Sequence, residues 1–154
     1  MVPSLGETAV FLPLAVGAAT TFCTIITHAL ALIAILGVVR FKHSRLDRGG
    51  VRFRRDLTIV AATPHLTLVA HLIEIGAGAV MFILCGEFSD LAPAFYHSAG
   101  NYTSLGYGDV VMSASWKSLA PLETADALLM FGVSTAMVVA VIQQLLRERG
   151  DFSG

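Results

Sequence analysis

Residues 103 to 109 read Thr-Ser-Leu-Gly-Tyr-Gly-Asp, a run whose chemistry lies in its backbone. To hold a cation stripped of water, consecutive C=O groups must turn toward one axis, which requires positive φ at alternate positions, and glycine adopts that conformation without strain. Gly106 and Gly108 supply such positions. Thr103 and Ser104 add hydroxyl or carbonyl oxygens at the inner end, Leu105 offers its carbonyl, Tyr107 gives a lateral hydrogen-bonding prop and Asp109 puts a carboxylate at the outer mouth. The heptad reads as an ion selectivity filter. Two glycines around a tyrosine also make an ordinary turn, so the flanks decide. An aromatic amphipathic stretch, Ala94-Phe95-Tyr96-His97-Ser98, precedes the heptad and a charge-free apolar segment follows it.

That order of short helix, filter and inner helix resembles the potassium channel pore family, whose filter is Thr-Thr/Ser-Val/Ile/Leu-Gly-Tyr-Gly-Asp. The resemblance implies K+ coordination by Thr103, Ser104, Leu105, Gly106 and Tyr107, with Gly108, Asp109, Tyr96 and His97 supporting the filter and outer mouth. Tyr96 or His97 falls where the family places aromatic partners of the filter tyrosine. It further implies a homotetramer, since one chain carries one strand of a ring of carbonyls that the family builds from four. The implied function is passive K+ flux. The alternative is a non-conducting or weakly selective channel-like subunit, or a proton-linked cation pathway through Glu74. The sequence departs from the family at Gly100, where some members carry a carboxylic acid, and Leu105 is larger than valine.

The elements that must position the filter are legible in the composition: 55% hydrophobic residues, 14% charged, and a mean hydropathy of +0.74. Residues 9–39 and 127–146 contain no Asp, Glu, Lys or Arg, and 57–86 contain only Glu74. A hydrocarbon core of ~30 Å needs about 20 helical residues, so each segment is long enough to span. The expected fold is an all-α membrane protein with three transmembrane helices, a re-entrant pore helix and a filter loop. Its parts are an N-terminal peripheral helix (1–40), a basic cytoplasmic loop (41–55), a pore domain (56–148) and a short tail (149–154). Within the pore domain the outer helix covers about 56–86, the pore helix 90–102, the filter 103–109 and the inner helix 121–148. Ser89 or Asp90 can cap the pore helix, and Pro93 suits its first turn.

Charge sets the expected orientation. Seven of the ten Lys and Arg residues lie between Arg40 and Arg55, which places that loop and the C-terminus in the cytoplasm and the N-terminus outside a plasma (inner) membrane. The same loop either only sets topology or also rests on anionic lipid headgroups. Glu7, Glu87, Asp90, Asp109, Glu123 and Asp126 fall on the opposite side, as a cation-concentrating vestibule or as solvated surface. Nothing in this pattern points to nucleic acid, to a cofactor beyond the permeant K+, or to an enzyme.

Inside the spans, Glu74 calls for a partner or a proton, since an ionised carboxylate at mid-bilayer costs roughly 2.5–3.5 kcal/mol on insertion scales. His71 lies one turn before it and His28 at a comparable depth, so a polar cluster of His28, His71 and Glu74 is expected, either as glue between helices or as a pH sensor. The spacing of His65, His71 and Glu74 does not put three ligands on one turn, and no transition-metal site is expected. His97 is either proton-sensitive or satisfied by a neighbour. On the inner helix Gly132, Ala136 and Ala140 have the small-xxx-small spacing of close-packed membrane helices, with Gly132 also a candidate hinge. Thr135, Val139 and Gln143 form a stripe suited to a cavity, with Gln143 near a gate.

Overall fold

The computed structural model describes residues 5–45 and 52–150, and every regular element among them is a helix: α1 (Leu5–Arg45), α2 (Arg52–Leu84), α3 (Leu91–Tyr102) and α4 (Leu119–Arg149). Three of them, over Val10–Val38, Arg54–Leu84 and Leu119–Arg147, are long and apolar enough to cross a membrane. The chain is an all-α multi-pass membrane protein. With 41 residues rising about 1.5 Å each, α1 measures about 60 Å and overshoots a bilayer core of ~30 Å.

The basic segment is more helical than its composition suggested. α1 continues to Arg45 and α2 resumes at Arg52, while the middle of the expected loop and of its lipid-facing surface, 46–51, lies outside the described residues. Lys and Arg are good helix formers, and no glycine or proline interrupts 38–45.

The packing follows the logic of lipid rather than water. Phe11, Phe22, Leu30 and Ile33 on α1 are exposed, as a lipid-facing surface requires. Among residues 10–38 of α1 the buried positions are Pro13, Gly17, Thr24, His28 and Ile35, a seam repeating at four and seven residues. Such a narrow stripe keeps one line of a helix against its neighbours, here α2 and α4. From Gly17 to His28 the seam is made of small and polar residues, which permit close approach where apolar surface earns no advantage over lipid.

The core is layered along the bundle. At the basic end Ile35, Ile59, Val141 and Leu145 pack together; at the end nearer the heptad Met81, Phe82, Met112 and Leu119 do so. Between them Ile75, Tyr102 and Ala127 border a buried polar layer. α3 is short, 12 residues, and sits against α2 and α4. Asp90 is its N-cap residue, with extended φ and ψ and no side-chain cap bond, and Pro93 falls in its first turn.

Candidate functional site: a pore loop and the polar layer behind it

The C-terminus of α3 delivers the chain into the loop. Leu105 N–H donates to Gly100 O (2.9 Å) and Ser104 N–H to Asn101 O (3.0 Å), the paired closure of a Schellman motif. The residue that must turn left-handed in such a closure is Ser104, with φ of 59°. Glycine usually takes that place; a serine there is strained by roughly 1–2 kcal/mol. Gly106 (φ 50°) and Gly108 (φ 73°) follow, so positive φ recurs at every second residue from 104 to 108. Positive φ was expected of the glycines alone, and Ser104 extends the alternation by one step. Alternating handedness is the backbone arrangement that turns successive peptides the same way. Gly106 N–H also donates to Gly100 O (3.1 Å), which ties the loop back to α3.

The loop's side chains divide between open and anchored. Leu105 and Tyr107 are exposed on the single chain, Tyr107 at 71%. The Tyr96 hydroxyl donates to Asp109 Oδ2 at 2.9 Å. That bond raises the Tyr96 phenol above its ordinary pKa. Asp109 Oδ1 accepts from the Val110 N–H, and His97 Nδ1 donates to Val110 O at 3.0 Å. His97 is held between the rings of Phe82 and Phe88, with centroids 5.2 and 5.3 Å away. Burial lowers its pKa below 6.5, against opposing contributions from the Val110 carbonyl, Glu87 and Asp109. Glu87 closes the far side by accepting from the Ser113 N–H and hydroxyl.

Behind the loop the expected trio of His28, His71 and Glu74 comes together and recruits two residues that sequence reasoning missed, Tyr102 and Ser134. His28 Nδ1 lies 2.8 Å from Glu74 Oε1. The Tyr102 hydroxyl bonds Glu74 Oε2 and lies 2.8 Å from His71 Nδ1. Ser134 Oγ lies 3.1 Å from His28 Nε2 and 3.0 Å from His71 Nε2. The links therefore run Glu74, Tyr102, His71, Ser134, His28 and back to Glu74, a closed ring that touches α1, α2, α3 and α4. His71 Nδ1 also approaches Glu74 Oε2 at 3.3 Å. All five members are buried. One donor atom from each of His28, His71 and Glu74 lies within 4.8 Å of the others, a spacing compatible with a metal ion that the separate elements hid from the sequence. Every polar atom of the ring nonetheless has a hydrogen-bond partner within the ring.

Two acidic residues expected on the external side, as vestibule or as solvated surface, face inward instead. Glu123 accepts from Asn101 Nδ2 at 3.0 Å and meets the Ser98 hydroxyl at 2.5 Å. Asp126 Oδ2 meets the Thr24 hydroxyl at 2.5 Å. Residues 123 and 126 share the face of α4 that packs on α3 and α1, where hydroxyls and an amide await them. This approach needs Gly78 on α2: a Cβ there would stand 2.2 Å from Glu123 Oε1 and 2.6 Å from Ser98 Oγ.

Gly132, Ala136, Ala140, Thr135, Val139 and Gln143 are all exposed on α4. A Cβ on Gly132 would meet nothing within 4 Å.

Neither a curated protein nor a solved structure matches the chain. The ion channel family does, over residues 68–144, half of the 154 residues, running from the body of α2 through α3 and the heptad to Gln144 on α4. The matched region holds the pore loop and four of the five ring residues, and leaves out α1 with His28. By that match the chain belongs to the ion channel family.

Proposed function

We propose that the chain is a K+-selective channel subunit that assembles as a homotetramer around residues 103–107, with no enzymatic step. The observation that carries this reading is the alternation of positive φ at Ser104, Gly106 and Gly108 in a loop delivered by the C-terminus of α3. That backbone, four times over, supplies stacked carbonyl rings that replace a hydration shell. K+ is then moved on by repulsion from the next ion. Non-helical backbone at membrane depth is tolerated where it is buried in protein or lines water, and a fourfold axis provides both.

The exposed strip of Gly132, Ala136 and Ala140 suits a neighbouring subunit's inner helix, and Thr135, Val139 and Gln143 suit the cavity below the filter. Gly132 is then the candidate bend. The positive-inside bias supports an orientation with the basic end and the C-terminus in the cytoplasm. A proton-linked pathway through Glu74 is less well supported, because its two oxygens are occupied within a closed ring and its side chain is buried.

The test is ion flux into liposomes containing the purified chain, K+ against Na+, with Ba2+ as blocker. Ba2+-sensitive K+ flux, abolished by Gly106→Ala, is expected; a methyl group at φ 50° cannot keep that backbone without strain. Equal Na+ and K+ flux, or flux unchanged by the substitution, overturns the reading.

A further inference from the structure

Next to the ring, between α1, α2 and α4, lies a second feature that ion permeation does not use. Asp126 is 5% exposed, and its Oδ1 has no hydrogen-bond partner among the described residues. It borders a small space of about 10 Å³, which admits one water-sized guest and no more. Thr20, Thr21, Thr24, Glu74, Tyr102 and Glu123 complete its polar lining, so that, apart from the thioether of Met81, every side chain with a lone pair offers oxygen.

The other carboxyl groups here are already engaged, Glu74 by the ring and Glu123 by Ser98 and Asn101. Thr24 cannot complete Asp126. Its single hydroxyl hydrogen faces two acceptors, Thr21 O at 2.8 Å and Asp126 Oδ2 at 2.5 Å, and neither choice reaches Oδ1. No Lys or Arg lines the space. A water there would donate to Oδ1 of an ionised Asp126 but would bring no countercharge to it. A cation does both jobs at once.

We propose that this space is a binding site for one dehydrated, sodium-sized monovalent cation, with Asp126 Oδ1 as its anchoring ligand and the Thr20 hydroxyl among its neutral ones. Thr20 gives its hydrogen to Val16 O (2.9 Å), which leaves lone pairs for a cation. An all-oxygen donor set selects a hard ion. Mg2+ keeps several of its waters and Ca2+ takes six to eight oxygens, and a space for a single guest accommodates neither shell. The site ties α1, outside the family match, to α4, and a guest there bridges the two helices beside the ring.

The test uses the full chain, purified in detergent with K+ fixed at a saturating concentration so that the filter does not change. NaCl is titrated against N-methylglucamine chloride at constant ionic strength, and the thermal midpoint is read. A saturable rise with Na+ is expected, its apparent affinity at least tenfold weaker in Asp126→Asn and also weakened in Thr20→Val. Thr20→Val keeps the carboxylate and the shape, and carries the test alone where Asp126→Asn does not fold. No Na+-dependent rise in the wild-type chain, or identical titrations in the variants, overturns the proposal. The readout is independent of ion flux, so its failure leaves the channel reading standing, and the reverse also holds.

Discussion

Tyr102 and Ser134 do not touch, yet the ring makes their energies interdependent. Tyr102→Phe removes the hydroxyl between Glu74 Oε2 and His71 Nδ1; Ser134→Ala removes the one between His28 Nε2 and His71 Nε2. Four different links are lost, two in each variant. A buried hydrogen bond between neutral groups contributes about 1 kcal/mol and one to a charged group about 1.5–3 kcal/mol, so each variant, losing two, should lose about 2–3 kcal/mol. Five links need five hydrogens, and Tyr102, Ser134, His28, His71 and Glu74 supply one each, in either direction around the ring. The same total serves if the carboxyl hydrogen resides on an imidazole. Once one hydroxyl is gone the direction is no longer enforced, and the second removal costs less than it would alone. Thermal denaturation in detergent at saturating K+ should show each single variant lowered by about 4–12 °C, at about 2–4 °C per kcal/mol for a chain of this size. The double variant should fall short of the sum by about 1 kcal/mol or more. Additivity within about 0.5 kcal/mol, the behaviour of independent sites, refutes the closed ring.

The remaining predictions concern the filter's surroundings. The pKa of His97 lies below 6.5 because of its burial, so the unfolded chain binds the proton first. Stability should therefore be flat above about pH 6.5 and fall as pH drops below it toward the folded value, and His97→Gln should remove that component of a thermal-midpoint pH profile. A profile unchanged by the substitution refutes the assignment. Gly78→Ala places a methyl within 2.2 Å of Glu123 Oε1 and 2.6 Å of Ser98 Oγ, and should cost about 1–3 kcal/mol by overpacking. An unchanged thermal midpoint would show that α2, α3 and α4 do not meet this closely.

The heptad and the spans were legible because each is a local signal. An unbroken apolar run identifies a membrane helix, and the spacing of Gly106 and Gly108 identifies a backbone of alternating handedness. Ser104 was not legible as a left-handed residue, because its φ is imposed by the Schellman closure at the end of α3, which no side chain announces. The partners of the polar residues depend on which faces meet. His28, His71 and Glu74 could be grouped by depth, yet Ser134 looks like any small residue of an apolar helix, and Tyr102 like the end of an amphipathic one. Glu123 and Asp126 were read as external since acidic residues near a span's end usually are. Only the rotation of α4, set by packing on Thr24, Ser98 and Asn101, turns them inward.

Tyr102 sits at the point where these observations converge, since it is a ring member and the last residue of α3, immediately before Thr103. The loop on one chain has little to hold it: Leu105 and Tyr107 are exposed, and its bonds run to Ala99, Gly100 and Asn101 on one side and through Asp109 and Val110 to Tyr96 and His97 on the other. On the proposed reading four such loops set their carbonyls around one axis, and each needs a fixed point from which to begin. The ring supplies that point by tying the end of α3 to α1, α2 and α4 at one depth in the bundle. A loss at Ser134, remote from the loop in sequence, should therefore reach the filter through His71 and Tyr102, and K+ selectivity should suffer in Ser134→Ala as well as stability. Selectivity identical to wild type, measured as the ratio of K+ to Na+ flux in liposomes, would confine the ring to holding the helices together.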